Sequence, residues 1–126
     1  MAAIPPEKSP KLGLNIYGCV SVNPVKVVLA AEEPKQVRLL ILICSHVISI
    51  PYNYVTLDMG AGELQVDWFK TINPNGKAPA IFHVKEDGTS VTVFECAPCL
   101  LQIASEFDKG HKLSYPPGTP EYWKQL

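Results

Sequence analysis

The sequence has little charge and no strong excess of either sign. Charged residues make up 18% of the 126 residues, and the formal net charge is −1. The 11 basic residues are scattered along the chain and form no cluster. Proteins that bind nucleic acid usually present a concentrated basic surface. We therefore expect no nucleic acid among the partners of this protein.

The sequence also lacks an apolar run that is long enough to cross a membrane. Its longest run, residues 37–50, is shorter than the roughly 20 residues that a membrane-spanning helix needs. Residues 1–11 contain prolines and lysines but not the apolar stretch of a secretory signal. These absences favour a cytoplasmic protein without a membrane partner, and residues 1–11 are expected to form a loose arm.

Cysteines and histidines are few. In an intracellular protein, thiols usually stay reduced, so the cysteines do not predict a disulfide framework. Cys44 and His46 are a poor pair of zinc ligands, and we expect no metal site. No histidine has a sequence neighbour that suggests a general base, so core or surface roles are expected for all three. The residues concerned are Cys19, Cys44, Cys96 and Cys99, with His46, His83 and His111.

The length and the apolar content of 47% suit one globular domain. Apolar periodicity and turn residues predict strands and helices in the order β-α-β-α-β-β-α. This order is typical of an α/β, thioredoxin-like domain with a four-stranded mixed sheet. The predicted segments are Leu14–Tyr17, Val25–Glu33, Tyr52–Leu57, Val66–Thr71, Ala80–Val84, Ser90–Phe94 and Glu95–Phe107.

One segment carries a specific resemblance. Asn73-Pro-Asn-Gly-Lys-Ala-Pro-Ala80, followed by a strand and by Phe94-Glu95 at the start of a helix, resembles the glutathione-binding core of glutathione transferases. In that family the proline in the place of Pro79 is cis, which leaves the backbone of the preceding residue open to pair with a bound peptide. The resemblance implies that Ala78 holds the cysteinyl part of glutathione. Glutathione would be a co-substrate, and no other cofactor is implied.

The same resemblance points to a catalytic hydroxyl. In serine-type members a hydroxyl at the start of the first helix donates to the glutathione sulfur and favours the thiolate. Ser21 occupies the matching place, and Asn23 is its local substitute. A simple turn or cap role for Ser21, which shortly precedes an Asn-Pro pair, is the alternative.

Four further residues are implied as ligands of the two ends of glutathione. The family's Glu-Ser pair, which grips the γ-glutamyl end, reads Glu95-Cys96 here, and a thiol is a weaker donor than a hydroxyl. Lys77 and Gln65 are placed to reach the glycyl carboxylate. The alternatives are a helix-capping acid at Glu95 and plain surface positions for Lys77 and Gln65.

A different chemistry is suggested by Cys96-Ala-Pro-Cys99. This pattern at a helix start has the form of a thiol-disulfide oxidoreductase site. Such a motif belongs at the first helix after the first strand, whereas here it opens the last helix of the predicted domain. A thiol oxidoreductase is therefore kept as an alternative function.

Two features depart from the family. The apolar insertion at residues 37–49 must be buried somewhere, and it is either a translated intron, that is, a gene-model error, or a true insertion that adds a strand or extends the first helix. The domain is expected to span residues 12–113. Residues 114–126 resemble the linker of fungal members and the start of a C-terminal helical domain that the chain lacks.

The reaction implied by the resemblance is attack of the glutathione thiolate on an electrophilic small molecule, in detoxification or fungal secondary metabolism. The absent helical domain normally supplies the electrophile pocket. A catalytically inactive module that binds glutathione or a partner is therefore the first alternative. A homodimer is compatible with the resemblance.

Overall fold

The computed structural model describes residues 3–31, 50–111 and 114–124. The predicted insertion at 37–49 lies outside these residues. Four strands and four helices are present in this part of the chain, with 3-10 turns at Pro6–Lys8 and Glu63–Gln65. In chain order they are β1 (Gly13–Gly18), α1 (Val22–Ala31), β2 (Tyr52–Thr56), α2 (Asp67–Lys70), β3 (Ala80–Val84), β4 (Ser90–Phe94), α3 (Cys96–Phe107) and α4 (Pro120–Lys124).

The strands form one mixed sheet in the order β2-β1-β3-β4. β1 runs parallel to β2, and β3 runs antiparallel to both β1 and β4. A parallel pair needs a crossover connection, which here includes α1, whereas β3 and β4 are joined by a tight turn. The α/β, thioredoxin-like fold with a four-stranded mixed sheet is therefore confirmed.

One face of the sheet packs against α1 and α3. Alternate side chains of a strand point to opposite faces, so Leu14 and Ile16 of β1 share this face. Ile81 of β3 joins them, and the helices contribute the buried Val27 and Ile103. These contacts fix the positions of α1 and α3, and therefore of their first turns.

The opposite face packs against α2 and the segment around it. Tyr17 of β1 and Ala80 of β3 are fully buried there, together with Trp68 and Phe69 of α2. The hydroxyl of Tyr17 donates a hydrogen bond to the backbone oxygen of Lys8 at 2.7 Å. Burial raises the pKa of Tyr17 to about 12. Tyr17 is thus a core residue on the face away from α1.

The start of the described chain is held against the domain rather than loose. Lys8 forms an ion pair with Glu63 at 3.0 Å, and its ammonium also donates to the backbone oxygen of Thr56. Ile4 packs against the core beneath α2. These contacts could not be predicted from the sequence, because they join residues that are about 50 positions apart and the composition of the arm marks only its prolines.

A buried asparagine joins this arm to the sheet. The side chain of Asn15 is fully buried, and its amide donates to the backbone oxygens of Lys11 and Phe82 at 2.7 and 2.9 Å. Its carbonyl accepts from the backbone N–H of Lys11 and from the amide of Asn53. A buried polar group is tolerated when its partners are present, as they are here.

Helix bounds differ from the sequence predictions at three helices, of which α3 differs least, because it begins at Cys96 rather than Glu95. α1 begins at Val22 rather than Val25, because Pro24 fits within a first helical turn, where no N–H is needed. α2 is confined to Asp67–Lys70, inside the predicted 66–71 patch. Within the described residues, no helix is long and apolar enough to cross a membrane.

Candidate functional site

The register of the sheet brings three chain segments to one end of the domain. Tyr17 lies opposite Ala80, and Ala80 lies opposite Phe94. The chain therefore leaves β1, enters β3 and leaves β4 at the same end of the sheet. Ser21 follows the end of β1, Pro79 precedes the start of β3, and Glu95 follows the end of β4. The sheet therefore brings these predicted site residues together from distant parts of the sequence.

Ser21 lies immediately before the first residue of α1. It is partly exposed, and its backbone N–H donates to the oxygen of Cys19 at 2.8 Å. Among the described residues, no hydrogen bond involves its hydroxyl. The neighbouring Val20 is 95% exposed. A hydroxyl at the N-terminus of a ten-residue helix is thus available to a ligand, where the helix dipole favours negative charge.

The Ala78–Pro79 peptide bond is cis. Pro79 is buried and Ala78 is half-buried. None of the hydrogen bonds between described residues uses the N–H or the C=O of Ala78. The backbone of this residue can therefore pair with an extended ligand beside the sheet.

The turn before Ala78 is held by a buried side chain. The amide of Asn73 donates to the backbone oxygen of Lys77 at 2.6 Å, and its carbonyl accepts from the backbone N–H of Asn75 at 2.9 Å. Asn73 is fully buried. It therefore fixes the course of the chain into the cis peptide bond.

Glu95 has an unusual backbone, with φ 73° and ψ 151°. A residue with a side chain is strained in this region, and such strain is concentrated at functional sites. Its exposed side chain makes no capping bond to α3, which argues against the helix-cap interpretation. Instead, its carboxylate accepts from the amide of Asn75 at 3.4 Å. Asn75 belongs to the motif that carries the resemblance, but nothing in the sequence marks it as a partner of Glu95.

The first turn of α3 leaves backbone donors unused. The backbone N–H of Cys99 bonds to the oxygen of Glu95, but within the described chain the N–H groups of Cys96 and Ala97 have no partner. Such groups at a helix N-terminus are suited to a carboxylate. The sulfur of Cys96 lies 4.0 Å from the backbone oxygen of Asn23, so the starts of α1 and α3 are in contact.

Gln65 and Lys77 flank the same end of the domain. The amide of Gln65 donates to the backbone oxygen of Gly76 at 3.0 Å, so this side chain already supports the turn that leads to Ala78. The side chain of Lys77 is exposed. Of the two, Lys77 is the better placed to attract a carboxylate from solvent.

The histidines lie away from this site or outside the described residues. His83 is buried against the ring of Phe107, with 5.4 Å between the ring centroids. His111 is exposed beyond α3, and His46 lies outside the described residues. Within the described chain, no three His, Cys, Asp or Glu residues are grouped in a way that could hold a metal ion.

Comparison with known proteins gives consistent relatives. Glutathione S-transferase 2 of Schizosaccharomyces pombe is 28% identical over 104 residues, which is 82% of this chain and 38% of the relative. The glutathione S-transferase-like protein gedE of Aspergillus terreus is 23% identical over 108 residues, 86% of this chain and 39% of the relative. The chain thus spans about two fifths of the length of these curated relatives. No model of a known protein family matches it.

Solved structures give the same result. The glutathione transferase URE2P6 of Phanerochaete chrysosporium, in complex with oxidised glutathione, superimposes with a TM-score of 0.73 at 27% identity, over 91% of this chain and 46% of that protein. A glutathione transferase homologue from Lodderomyces elongisporus, with two glutathione molecules per subunit, gives 0.64 at 25% identity, over 89% and 46%. The chain is thus similar in sequence and fold to glutathione S-transferases, over the N-terminal, thioredoxin-like part of those longer proteins.

Proposed function

We propose that this chain binds glutathione at the end of the sheet where β1, β3 and β4 converge. The observation that carries the proposal is the convergence itself: the cis Ala78–Pro79 bond lies between the start of α1 and the start of α3. The relatives whose structures contain glutathione support the choice of ligand. A tripeptide with a thiol and two terminal carboxylates matches the groups that are gathered there.

Each part of glutathione has a partner in this arrangement. The unpaired N–H and C=O of Ala78 bind the cysteinyl backbone as a short strand-like pair. The carboxylate of Glu95 takes the γ-glutamyl ammonium, and the backbone N–H groups of Cys96 and Ala97 take the γ-glutamyl carboxylate. Lys77, with Gln65 as a secondary contact, faces the glycyl carboxylate.

The proposed reaction is attack of the bound thiolate on a small electrophile. The hydroxyl of Ser21 donates to the sulfur, and the positive end of α1 adds to the stabilisation of the anion. Asn23 supports this position through the contact between its backbone and Cys96. We extend the proposal to fungal detoxification or secondary metabolism because residues 114–126 resemble the linker of fungal members and because both curated relatives are fungal.

A glutathione-binding module without turnover is the second candidate. It is favoured by one observation, that the chain spans only 38% and 39% of the first two relatives. Such a module binds glutathione, or a partner, without converting an electrophile. Binding and turnover must therefore be tested separately.

The test of binding is a calorimetric titration of the folded protein with reduced glutathione. Glu95→Ala is expected to weaken binding at least tenfold, because hydrogen bonds to charged groups contribute about 1.5–3 kcal/mol. Glu86→Ala is the matched control, since Glu86 is an exposed acid in the β3–β4 turn at the opposite end of the sheet. Absence of binding by a folded protein, or equal weakening by both variants, would overturn the proposal.

Turnover is tested with a nitroaromatic electrophile and saturating glutathione. Ser21→Ala is expected to lower the rate by an order of magnitude or more while glutathione affinity stays within about twofold, because the hydroxyl acts on the sulfur and not on the peptide backbone. Glutathione binding without conversion of the electrophile by the unaltered protein would favour the second candidate, a glutathione-binding module without turnover.

A further inference from the structure

Two thiols occupy the first turn of α3. Cys96 is the first residue of this helix and Cys99 the fourth, a spacing that brings two side chains to the same face of a helix. Both are unbridged. Pro98 lies between them, at a first-turn position where the missing N–H costs no helical hydrogen bond. The site described above uses only the backbone of Cys96, which leaves both sulfur atoms without a role.

The two thiols have different surroundings. Cys96 is partly exposed, and its sulfur faces the start of α1. Cys99 is fully buried, and its sulfur lies 3.5 Å from the backbone oxygen of Val93. Burial, the largest cause, and the nearby charge of Cys96 raise the pKa of Cys99 to about 12.

We propose that Cys96 and Cys99 form a reactive dithiol that small-molecule disulfides oxidise to an internal disulfide. The accessible thiol reacts first, and the buried thiol completes the exchange. The spacing and the difference in exposure carry the proposal. It does not depend on glutathione binding, because any small disulfide that reaches Cys96 can act as the oxidant.

The exchange has two balanced steps. Cys96 loses its proton and attacks one sulfur of the reagent; the S–S bond of the reagent breaks, and the first thiolate leaves and takes up a proton. Cys99 then loses its proton and attacks the Cys96 sulfur, which releases the second thiolate of the reagent. Two protein thiols are oxidised and one disulfide is reduced to two thiols.

The order of events follows from the local environment. Cys99 cannot begin the exchange, since its sulfur is buried and a thiolate is the attacking species. Once Cys96 is in a mixed disulfide it can no longer ionise, so one of the causes that raise the pKa of Cys99 is removed. Burial remains, so the second step is slow and the mixed disulfide precedes the internal one.

The cysteines can be followed separately by mass spectrometry. Cleavage after lysine and arginine places Cys96 and Cys99 together in the peptide 86–109, whereas Cys19 and Cys44 fall in the peptides 12–26 and 39–70. The full chain is treated with hydroxyethyl disulfide, which has neither peptide groups nor charges, then trapped with an alkylating reagent at successive times. The peptide 86–109 is expected first to gain one reagent group and to keep one alkylation site, and then to lose both the reagent group and the remaining site.

Two variants make the test specific. Cys99→Ser is expected to stop at the mixed disulfide on Cys96, and Cys96→Ser is expected to leave Cys99 alkylatable after denaturation. A mixed disulfide in the unaltered protein that never converts, or oxidation confined to the peptides 12–26 and 39–70, would overturn the proposal. Reduced glutathione is titrated before and after the treatment, so that a failure of the dithiol exchange can be told apart from a failure of glutathione binding.

Discussion

The turn that leads to the cis peptide bond rests on one buried side chain, and removal of that side chain is the most direct test of the fold at the site. The change is Asn73→Ala. It deletes the 2.6 Å bond to the backbone oxygen of Lys77 and the 2.9 Å bond from the backbone N–H of Asn75. Both partners belong to the segment that positions Ala78.

The expected cost is about 2 kcal/mol in the free energy of unfolding. Each hydrogen bond contributes about 1 kcal/mol net, and two are lost. Asn75 and Lys77 are exposed, so water can reach the groups left without their partner and the larger penalty for a buried unsatisfied group does not apply. With roughly 4 °C per kcal/mol for a domain of this size, Tm should fall by about 8 °C.

Urea denaturation followed by tryptophan fluorescence measures this cost. Trp68 is buried and stacks edge-on against Phe69, 5.8 Å between ring centroids, so its emission reports on the core beside Asn73. The matched control is Asn75→Ala, because Asn75 is an exposed asparagine two positions away whose side chain makes one long bond, at 3.4 Å, to Glu95. We expect this control to change the stability by less than about 0.5 kcal/mol.

Equal destabilisation by the two asparagine variants would refute the reasoning, since it would mean that burial and bond length do not distinguish them. A loss below about 0.5 kcal/mol in the free energy of unfolding for Asn73→Ala would also refute it. A changed denaturant slope would instead show an altered denatured or native ensemble. Glutathione titration of the same variant then asks whether the turn also positions Ala78 for binding, with weakened binding as the expected result.

Two further predictions concern the sheet and the arm. Gly18→Ala should destabilise the protein by about 1–3 kcal/mol, because a Cβ there would collide with the ring and hydroxyl of Tyr54 and would lie 2.9 Å from the Cβ of Pro24. A Tyr54→Ala background should remove only the Tyr54 part of this cost in thermal melts, since the Pro24 contact remains. The pKa of Glu63 is lowered by hydrogen bonds from the backbone of Asp58 and then from Lys8. The contribution of Glu63 to stability is therefore fully present above the ordinary glutamate pKa, and it is lost as the pH falls through the lowered pKa. Glu63→Gln should reduce the stability at pH 7 and flatten the acid side of a curve of stability against pH. An unchanged curve would contradict this prediction.

The elements with strong local signals were predictable from the sequence. The apolar strands at Ala80–Val84 and Ser90–Phe94 flank Glu86-Asp-Gly88, and turn residues between alternating strands specify a hairpin without reference to the rest of the chain. The order of the elements then restricts the topology, because a parallel pair requires a crossover. The cis bond at Pro79 came from the family resemblance and is present. Most of the fold could therefore be predicted from short-range patterns in the sequence.

The contacts that complete the site have no local signal. Asn75 and Glu95 are 20 residues apart, and only the sheet register shows that they meet. The proline-rich composition of residues 1–11 predicts a loose arm, since it contains no signal for the oxygen of Thr56 or the carboxylate of Glu63, which hold Lys8. The strained backbone of Glu95 is also imposed by the connection from β4 to α3 and not by its own propensity. Such features follow from tertiary structure alone.

Where the resemblance leads one to expect a serine, this chain has Cys96. This difference leaves the backbone donors unchanged but alters the chemistry of the side chain. The N–H groups of Cys96 and Ala97 are present whatever the side chain is, so anion binding at the start of α3 does not require the hydroxyl that the resemblance leads one to expect. The thiol, in contrast, adds a nucleophile that is three positions from Cys99. A substitution of the Cys96 sulfur alone therefore removes the proposed exchange while it keeps the donors for glutathione, which makes the two activities of this helix start separable by experiment.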